Sequence, residues 1–405
     1  MHIFNFNLKI KRIIINIMLE CKFFVNTWDK IDDDLRKYCE NIAKIKQISY
    51  TGKSVSVMNT ALVDKLLDRW NTEMSGITPY YAVKALPDEK IIDKMTYFDC
   101  ASAAEFKSVI ARGKNPENII YANTAKRPMD IEEAKNYGIK IMTADSIHEV
   151  EKILRLYPEC GIVLRVAPSD SGAQFTKFAH KFGSVTSENS KRIIDMCPKN
   201  IRGFSFHVGC GQTNINAWSD AMLLVEDLFE YIKSKHPDCY ENANIIDIGG
   251  GYCSDINALG LTDIRSSLND WMNKYSDKRW IAEPGRFFCA DVMTLLCPII
   301  SKNLRDEDRQ YYVIGNSIHH TFSCIIFDLH KPRQLTAEDW TPNTTLCDGT
   351  VVGETCDGVD VLYHGTLPYD LDIGTVLVFQ GIGAYSNASA NHFNGFTPPE
   401  TVYYS

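Results

Sequence analysis

Four kinds of residue that work together in amine chemistry, a lysine, a glycine run, a carboxylate and an arginine, stand at the ends of short apolar runs in this chain. Lys84 closes the run TPYYAVK (78–84). A charged amine there has three readings: a buried salt bridge, a general base, or a Schiff-base amine, for which desolvated lysines are suited. In DIGGGY (247–252), Gly249, Gly250 and Gly251 follow another apolar run. Their backbone N–H groups could cradle a phosphate, or the glycines could simply make a tight turn. AEPGRFF (282–288) puts Glu283 at the end of a run and Arg286 three residues later. A carboxylate facing a pyridine nitrogen keeps it protonated and electron-withdrawing, and an arginine grips a phosphate in bidentate fashion. The four together outline a pyridoxal phosphate site.

These residues need a scaffold that brings strand ends to one place. From about 75 to 290 the chain alternates short β-branched or aromatic runs with helical stretches: TPYYAVK, YFDCA, NIIYAN, KIMTAD, GIVLRVA, IRGFSFHVG, NIIDIGG and RWIAEPG. Eight parallel strands close a barrel, and its active-site mouth lies at their carboxyl ends. The eight runs end at Lys84, Asp99, Asn123, Asp145, Arg165, His207, the triple glycine and Glu283. Loop polarity explains some of these positions, but a lysine, an arginine, a histidine and a glutamate at one mouth also suit a polar site. After about 292, YYVIG, SCIIFDL, TTLCDGTVV, VLYHG, TVLVFQ and TVYYS read as strands between Pro, Gly, Asp and Asn turns. That pattern predicts an antiparallel β domain. The expected organisation is an N-terminal extension over 1–21, a strand for the β domain from 22–49, a (β/α)8 barrel over 50–292 and the β domain over 293–405, an α/β plus β fold.

Composition narrows the partners. The chain has 405 residues, a formal net charge of −8 and Lys and Arg spread along its whole length, which gives no basic face for nucleic acid and favours a small cation over a polyanion. Thirteen cysteines without CxxC pairs read as reduced thiols in a cytosolic protein, neither a disulfide framework nor zinc ligands. The opening MHIFNFNLKIKRIIINIMLE reads as a poorly packed extension or a targeting segment; its apolar run is too short to span a bilayer.

YYAVKA, FDCASAAEF, IIYANTAK, FSFHVGCG, DIGGGY, AEPGR, ETCDGVD and GAYSNASANHFNGF resemble, in order, motifs of the eukaryotic-type ornithine decarboxylases. The resemblance runs from about residue 50 to the end. It implies an alanine-racemase-like barrel with a β domain, and pyridoxal 5′-phosphate held by Lys84 as a Schiff base. His207 then stacks on the pyridine ring and Glu283 pairs with its nitrogen. Gly249, Gly250, Gly251, Arg286 and Tyr385 hold the phosphate, with Cys210 where the family commonly has serine, and Asp99 and Arg165 complete the polar wall. In ETCDGVD the resemblance makes Cys356 the proton donor and Asp357 a contact for the distal amine of the substrate, both reaching the site from the other subunit of a homodimer. Without it, a lone cysteine is more often buried packing. Asp328, in IIFDLHKP, matches the second distal-amine acid, and two carboxylates would repel a dicarboxylic substrate.

The chain departs from the family in IGNSIHHTFS (314–323), where Asn316 replaces an aspartate and His319 a tyrosine; Phe327 replaces another tyrosine. The implied activity is cytoplasmic conversion of ornithine to putrescine and carbon dioxide. Two alternatives stand beside it: arginine or lysine as substrate, and a non-catalytic relative resembling the antizyme inhibitors, with antizyme as partner.

Overall fold

A computed structural model describes residues 23–24, 33–174, 176–252, 259–306, 309–327, 345–369 and 371–405. The chain divides into two compact units, one formed by 1–62 with 290–405 and the other by 63–289. Two strands precede the second unit: β1 (Phe23–Phe24) and β2 (Val55–Asn59).

The 63–289 unit is a closed barrel of eight parallel strands: β3 (Ile77–Ala82), β4 (Tyr97–Cys100), β5 (Ile119–Tyr121), β6 (Ile141–Ala144), β7 (Gly161–Arg165), β8 (Ile201–Ser205), β9 (Ile245–Asp247) and β10 (Arg279–Ala282). These are the eight runs read from the sequence. Each strand pairs with its neighbour in order, and β10 closes on β3 with Trp280 opposite Ile77. Tyr80, Ile120, Val163, Ile245 and Ile281 form one buried cluster, each from a different strand, so the barrel is packed by side chains. Helix starts are written locally. Ser102 and Ser146 sit in extended conformation and accept from the backbone N–H of Glu105 and Glu149, satisfying amides that a first helical turn leaves open. Outside the strands, Trp70 is fully buried, donates its indole N–H to Ile77 O at 2.9 Å and meets Tyr252 edge-on at 4.9 Å.

The other unit is a sheet of β1, β2, β11 (Met293–Asp306), β12 (Arg309–Ile314), β13 (Leu346–Val352), β14 (Val361–Pro368), β15 (Val376–Gln380) and β16 (Glu400–Tyr404). The sequence predicts an antiparallel domain. The sheet is mixed instead, with β1 parallel to β15, β16 to β2 and β12 to β13, and the other pairs antiparallel. The chain enters this sheet both before and after the barrel, so its two passes need not alternate. Within 22–49, where a strand is expected, β1 is only two residues long and Asp33–Ile45 is a helix. Leu35, Cys39 and Ala43, four apart, face one side of it and pack on Val55, Val57, Leu296, Val376 and Val378. Because Val55–Asn59 lies in this sheet, the barrel unit begins at 63 rather than 50. SCIIFDL is another correction: Thr321–Ser323 and Cys324–Phe327 are helical turns, since a short apolar run without alternation does not distinguish helix from strand. Among the described residues no helix is long and apolar enough to cross a membrane.

Trp70→Ala is expected to destabilise the protein by about 3–5 kcal/mol, the range for emptying a large aromatic site. Trp70→Phe should cost less, because it keeps a ring against Tyr252 and loses the bond to Ile77 and only part of the buried ring volume. Chemical denaturation of the three proteins measures both.

Candidate active site

Lys84 lies in a 3-10 turn directly after β3, and Asp99 sits on β4 in register with Ala82. That register brings Lys84 Nζ onto Asp99 Oδ2. Asp99 is fully buried, whereas 41% of the lysine side chain is exposed, so the pair secures the acid and leaves the amine reachable. Asp99 Oδ1 is buried and accepts no hydrogen bond among the described residues. A second lysine, Lys126, is more deeply buried, and burial lowers its pKa to about 8. Its ammonium is occupied, however, by Asn123 O at 2.5 Å, Thr143 O at 2.7 Å and Glu149 Oε1 at 3.2 Å.

His207 follows β8. Its Nδ1 accepts the Gly209 N–H at 3.0 Å, so a neutral ring carries its proton on Nε2. Burial, reinforced by the nearby charges of Arg165 and Lys84, holds this imidazole well below its usual pKa, and it is neutral at physiological pH. Phe178 packs on it edge-on at 4.5 Å, and the guanidinium of Arg165, the last residue of β7, lies over the Phe182 ring at 5.0 Å.

The triple glycine leaves β9 where no side chain fits. A Cβ on Gly249 (φ +67°) would lie 2.2 Å from Phe206 O, and one on Gly251 (φ +107°) would lie 2.3 Å from Gly209 O. On Gly250 it would come within 2.9 Å of both Glu283 O and His207 Nε2. Cys210, on the adjoining turn, is buried, as is Arg286 at the start of the turn Arg286–Cys289.

Acids crowd this mouth. Burial, with repulsion from Asp247 and Asp99, raises the Glu283 pKa well above the usual carboxyl range. Burial also pushes Asp247, which accepts the Gly249 N–H at 2.9 Å, up to about 7. Glu105 is raised by burial too and accepts the Ala101 N–H at 2.7 Å. The sequence reading did not single out Asp247 or Glu105, although both lie inside quoted motifs, DIGGGY and FDCASAAEF.

In the sheet unit, Cys356 is exposed, alone among the described cysteines. Its N–H donates to Asn394 Oδ1 at 2.8 Å, and Asn394 adopts φ +55°, a conformation asparagine tolerates. Asp360 anchors the loop by accepting from Ile318 N at 3.0 Å, Thr355 N at 3.1 Å and Thr355 Oγ1 at 2.5 Å. Asp357 Oδ1 accepts the Val359 N–H at 3.1 Å, and Oδ2 meets His319 Nε2 at 2.8 Å. These two contacts, the backbone one first, hold its pKa below the usual range. Asn316 ties in the altered 314–323 segment. Asn316 donates to Ser54 Oγ and Thr321 Oγ1 and accepts from Ser317 N and Thr321 N, so it uses two donors that an aspartate lacks. Tyr385 is half-buried with φ +55°. Asp328 lies outside the described residues.

Residues 60–290 match the pyridoxal binding domain of the pyridoxal-dependent decarboxylases. The chain belongs to this family. Similar decarboxylases include a probable ornithine decarboxylase of Dictyostelium discoideum, 33% identical and aligned over 86% of this chain and 79% of the relative. The ornithine decarboxylase of Schizosaccharomyces pombe is also 33% identical, over 84% of this chain and 81% of its own. Among solved structures, the arginine decarboxylase of Paramecium bursaria Chlorella virus matches with a TM-score of 0.81 and 32% identity, covering 91% of this chain and 100% of that one. The lysine/ornithine decarboxylase of Vibrio vulnificus, at 24% identity and a TM-score of 0.78, shares the fold.

The cofactor of this decarboxylase is pyridoxal 5′-phosphate, and the barrel mouth fits it. It offers a reachable amine beside a buried acid, a glycine turn closed to side chains, and a buried carboxyl whose raised pKa lets it share a proton with a ring nitrogen.

Gly249→Ala is expected to weaken pyridoxal phosphate binding roughly tenfold, because a Cβ 2.2 Å from Phe206 O forces the turn that presents its N–H groups to shift. Titration of visible absorbance measures this. A second expectation concerns Glu354, whose pKa burial raises from 4.5 to about 7, with help from Asp360 and against Lys53. The folded state therefore keeps a proton that the unfolded chain has shed, and stability from this group falls as pH rises through that window. The Tm of Glu354→Gln minus that of wild type should increase from pH 5 to pH 8; a constant difference would contradict the assignment.

Proposed function

We propose that this enzyme decarboxylates L-ornithine to putrescine and carbon dioxide. The observation that carries the proposal is the loop 354–360, where an exposed thiol, Cys356, and a carboxylate held in its ionised form, Asp357, are adjacent and anchored. The curated relatives named as ornithine decarboxylases support the same substrate.

Bound pyridoxal phosphate supplies the electron sink that accepts the pair left when carbon dioxide departs. Lys84 holds the cofactor through its amine and Asp99 keeps that amine in place. His207, neutral, offers its ring face to the pyridine, while Glu283 holds the proton shared with the ring nitrogen. Gly249, Gly250, Gly251, Cys210, Arg286 and Tyr385 bind the phosphate, and Arg165 closes the polar wall. Cys356 Sγ gives its proton to the carbon that has lost carbon dioxide. Asp357 and Asp328 receive the distal ammonium. The 354–360 loop reaches the barrel of a second subunit, so the enzyme is a homodimer with two shared sites, acting in the cytoplasm and open to antizyme.

A second reading, arginine as substrate, is favoured by the 32% identity to the viral arginine decarboxylase. Specificity constants for ornithine, lysine and arginine measured side by side decide between them. Ornithine should lead; preference for arginine or lysine would overturn the substrate and leave the decarboxylation standing. Inactivity on all three would favour the antizyme-inhibitor-like alternative, although every barrel-mouth residue of the motif is present. The shared site has its own test. Lys84→Ala and Cys356→Ala should each be nearly inactive alone, and mixing them under confirmed subunit exchange should restore activity. Absence of rescue would place both residues in one chain's site.

A further inference from the structure

His319 stands where the family resembled in sequence has a tyrosine, and none of the roles above uses it. Its imidazole is fixed on several sides. The ring stacks on Phe393, with centroids 4.3 Å apart and planes at 17°. Its Nδ1 faces Asn391 Nδ2 at 3.3 Å, and its backbone carbonyl accepts the Asn391 N–H at 2.8 Å. An amide nitrogen only donates, so Nδ1 is the acceptor and Nε2 carries the proton in the neutral ring. That proton points at Asp357 Oδ2, 2.8 Å away. The imidazole thus orients the carboxylate through a directed N–H. The Val359 N–H holds the other oxygen, so the acid is gripped at both ends. The same short segment reaches Cys356 as well, because Asn394 Oδ1 accepts the Cys356 N–H. Residues 391–394 therefore hold the Cys356 backbone directly and the carboxylate through His319.

We infer that His319 is a positioning residue that fixes Asp357 for a substrate's distal cation, and so sets how strongly the enzyme prefers diamino substrates to their monoamine counterparts. This rests on the reading of Asp357 as the distal-amine contact. The aromatic stack suits the role: Phe393 covers one face of the imidazole and keeps its donor edge on the carboxylate. Losing the donor frees Asp357 to rotate about its side chain, and the ordering cost then falls on the substrate. The effect belongs to binding of the distal charge and not to the carbon that reacts.

The test uses the pyridoxal-phosphate-loaded enzyme and three variants. His319→Phe keeps a ring against Phe393 and removes the donor, His319→Gln keeps a donor, and Asp357→Asn removes the charge. Calorimetry gives the affinities for 1,4-diaminobutane and 1-aminobutane, and steady-state assays give KM and kcat for ornithine. Loss of one hydrogen bond to a charged, partly exposed acceptor predicts that His319→Phe weakens diaminobutane binding about 5- to 20-fold, with 1-aminobutane unchanged within about twofold. KM should rise by a similar factor at nearly constant kcat, and His319→Gln should recover most of the loss. If Asp357→Asn lowers the diamine preference and His319→Phe does not, the inference about His319 falls alone. Equal weakening of both amines by His319→Phe would also overturn it, as a purely structural effect. If Asp357→Asn leaves the preference intact, Asp357 is not the distal-amine contact and both readings fall.

Discussion

The arrangement of the barrel mouth depends on one ion pair. Asp99 is a fully buried carboxylate on a barrel strand, and an uncompensated charge there would cost several kcal/mol. Lys84 answers it from the neighbouring strand end, across the register that sets Ala82 opposite Asp99. The exposure is unequal, with the acid sealed in and the amine reachable. The electrostatics that secure the strand pair therefore also present an accessible amine at a known place.

The other groups extend this balance. Asp99, Asp247 and Glu283 stand near Lys84 and Arg165, and burial keeps protons on Asp247 and Glu283 that an exposed carboxyl would lose. Burial, helped by the positive groups, keeps His207 neutral. Lys126 shows the contrast. It is buried and its pKa is depressed, as suits a reactive amine, yet its donors are spent on two carbonyls and Glu149. Lys84 differs from it in being accessible.

Much of this was legible in the residues. A parallel barrel buries its strands on both faces, so each appears as an apolar run, and its functional mouth appears as the polar residue that ends the run. All eight runs are strands, and Lys84, Asp99, Arg165 and His207 stand at or just after the ends of theirs. The second unit was less legible because its sheet is assembled from both sides of the barrel. The pairings of Val55–Asn59 with Met293–Leu296 and with Glu400–Tyr404 span hundreds of residues and leave no local pattern. The Asp33–Ile45 helix carries only a thin apolar stripe, so a polar segment reads as lacking core residues. Asp247 and Glu105 were in view inside their motifs, but only their neighbours in space mark them as buried acids.

The central claim is that Lys84 is the amine that carries the cofactor, and borohydride reduction followed by peptide mapping tests it most directly. Reduction in the presence of pyridoxal phosphate should fix the cofactor on the peptide containing Lys84, and Lys84→Ala should abolish the label while Lys126→Ala retains it. A label that maps to Lys126 or to any other lysine, or that survives in Lys84→Ala, would contradict the account.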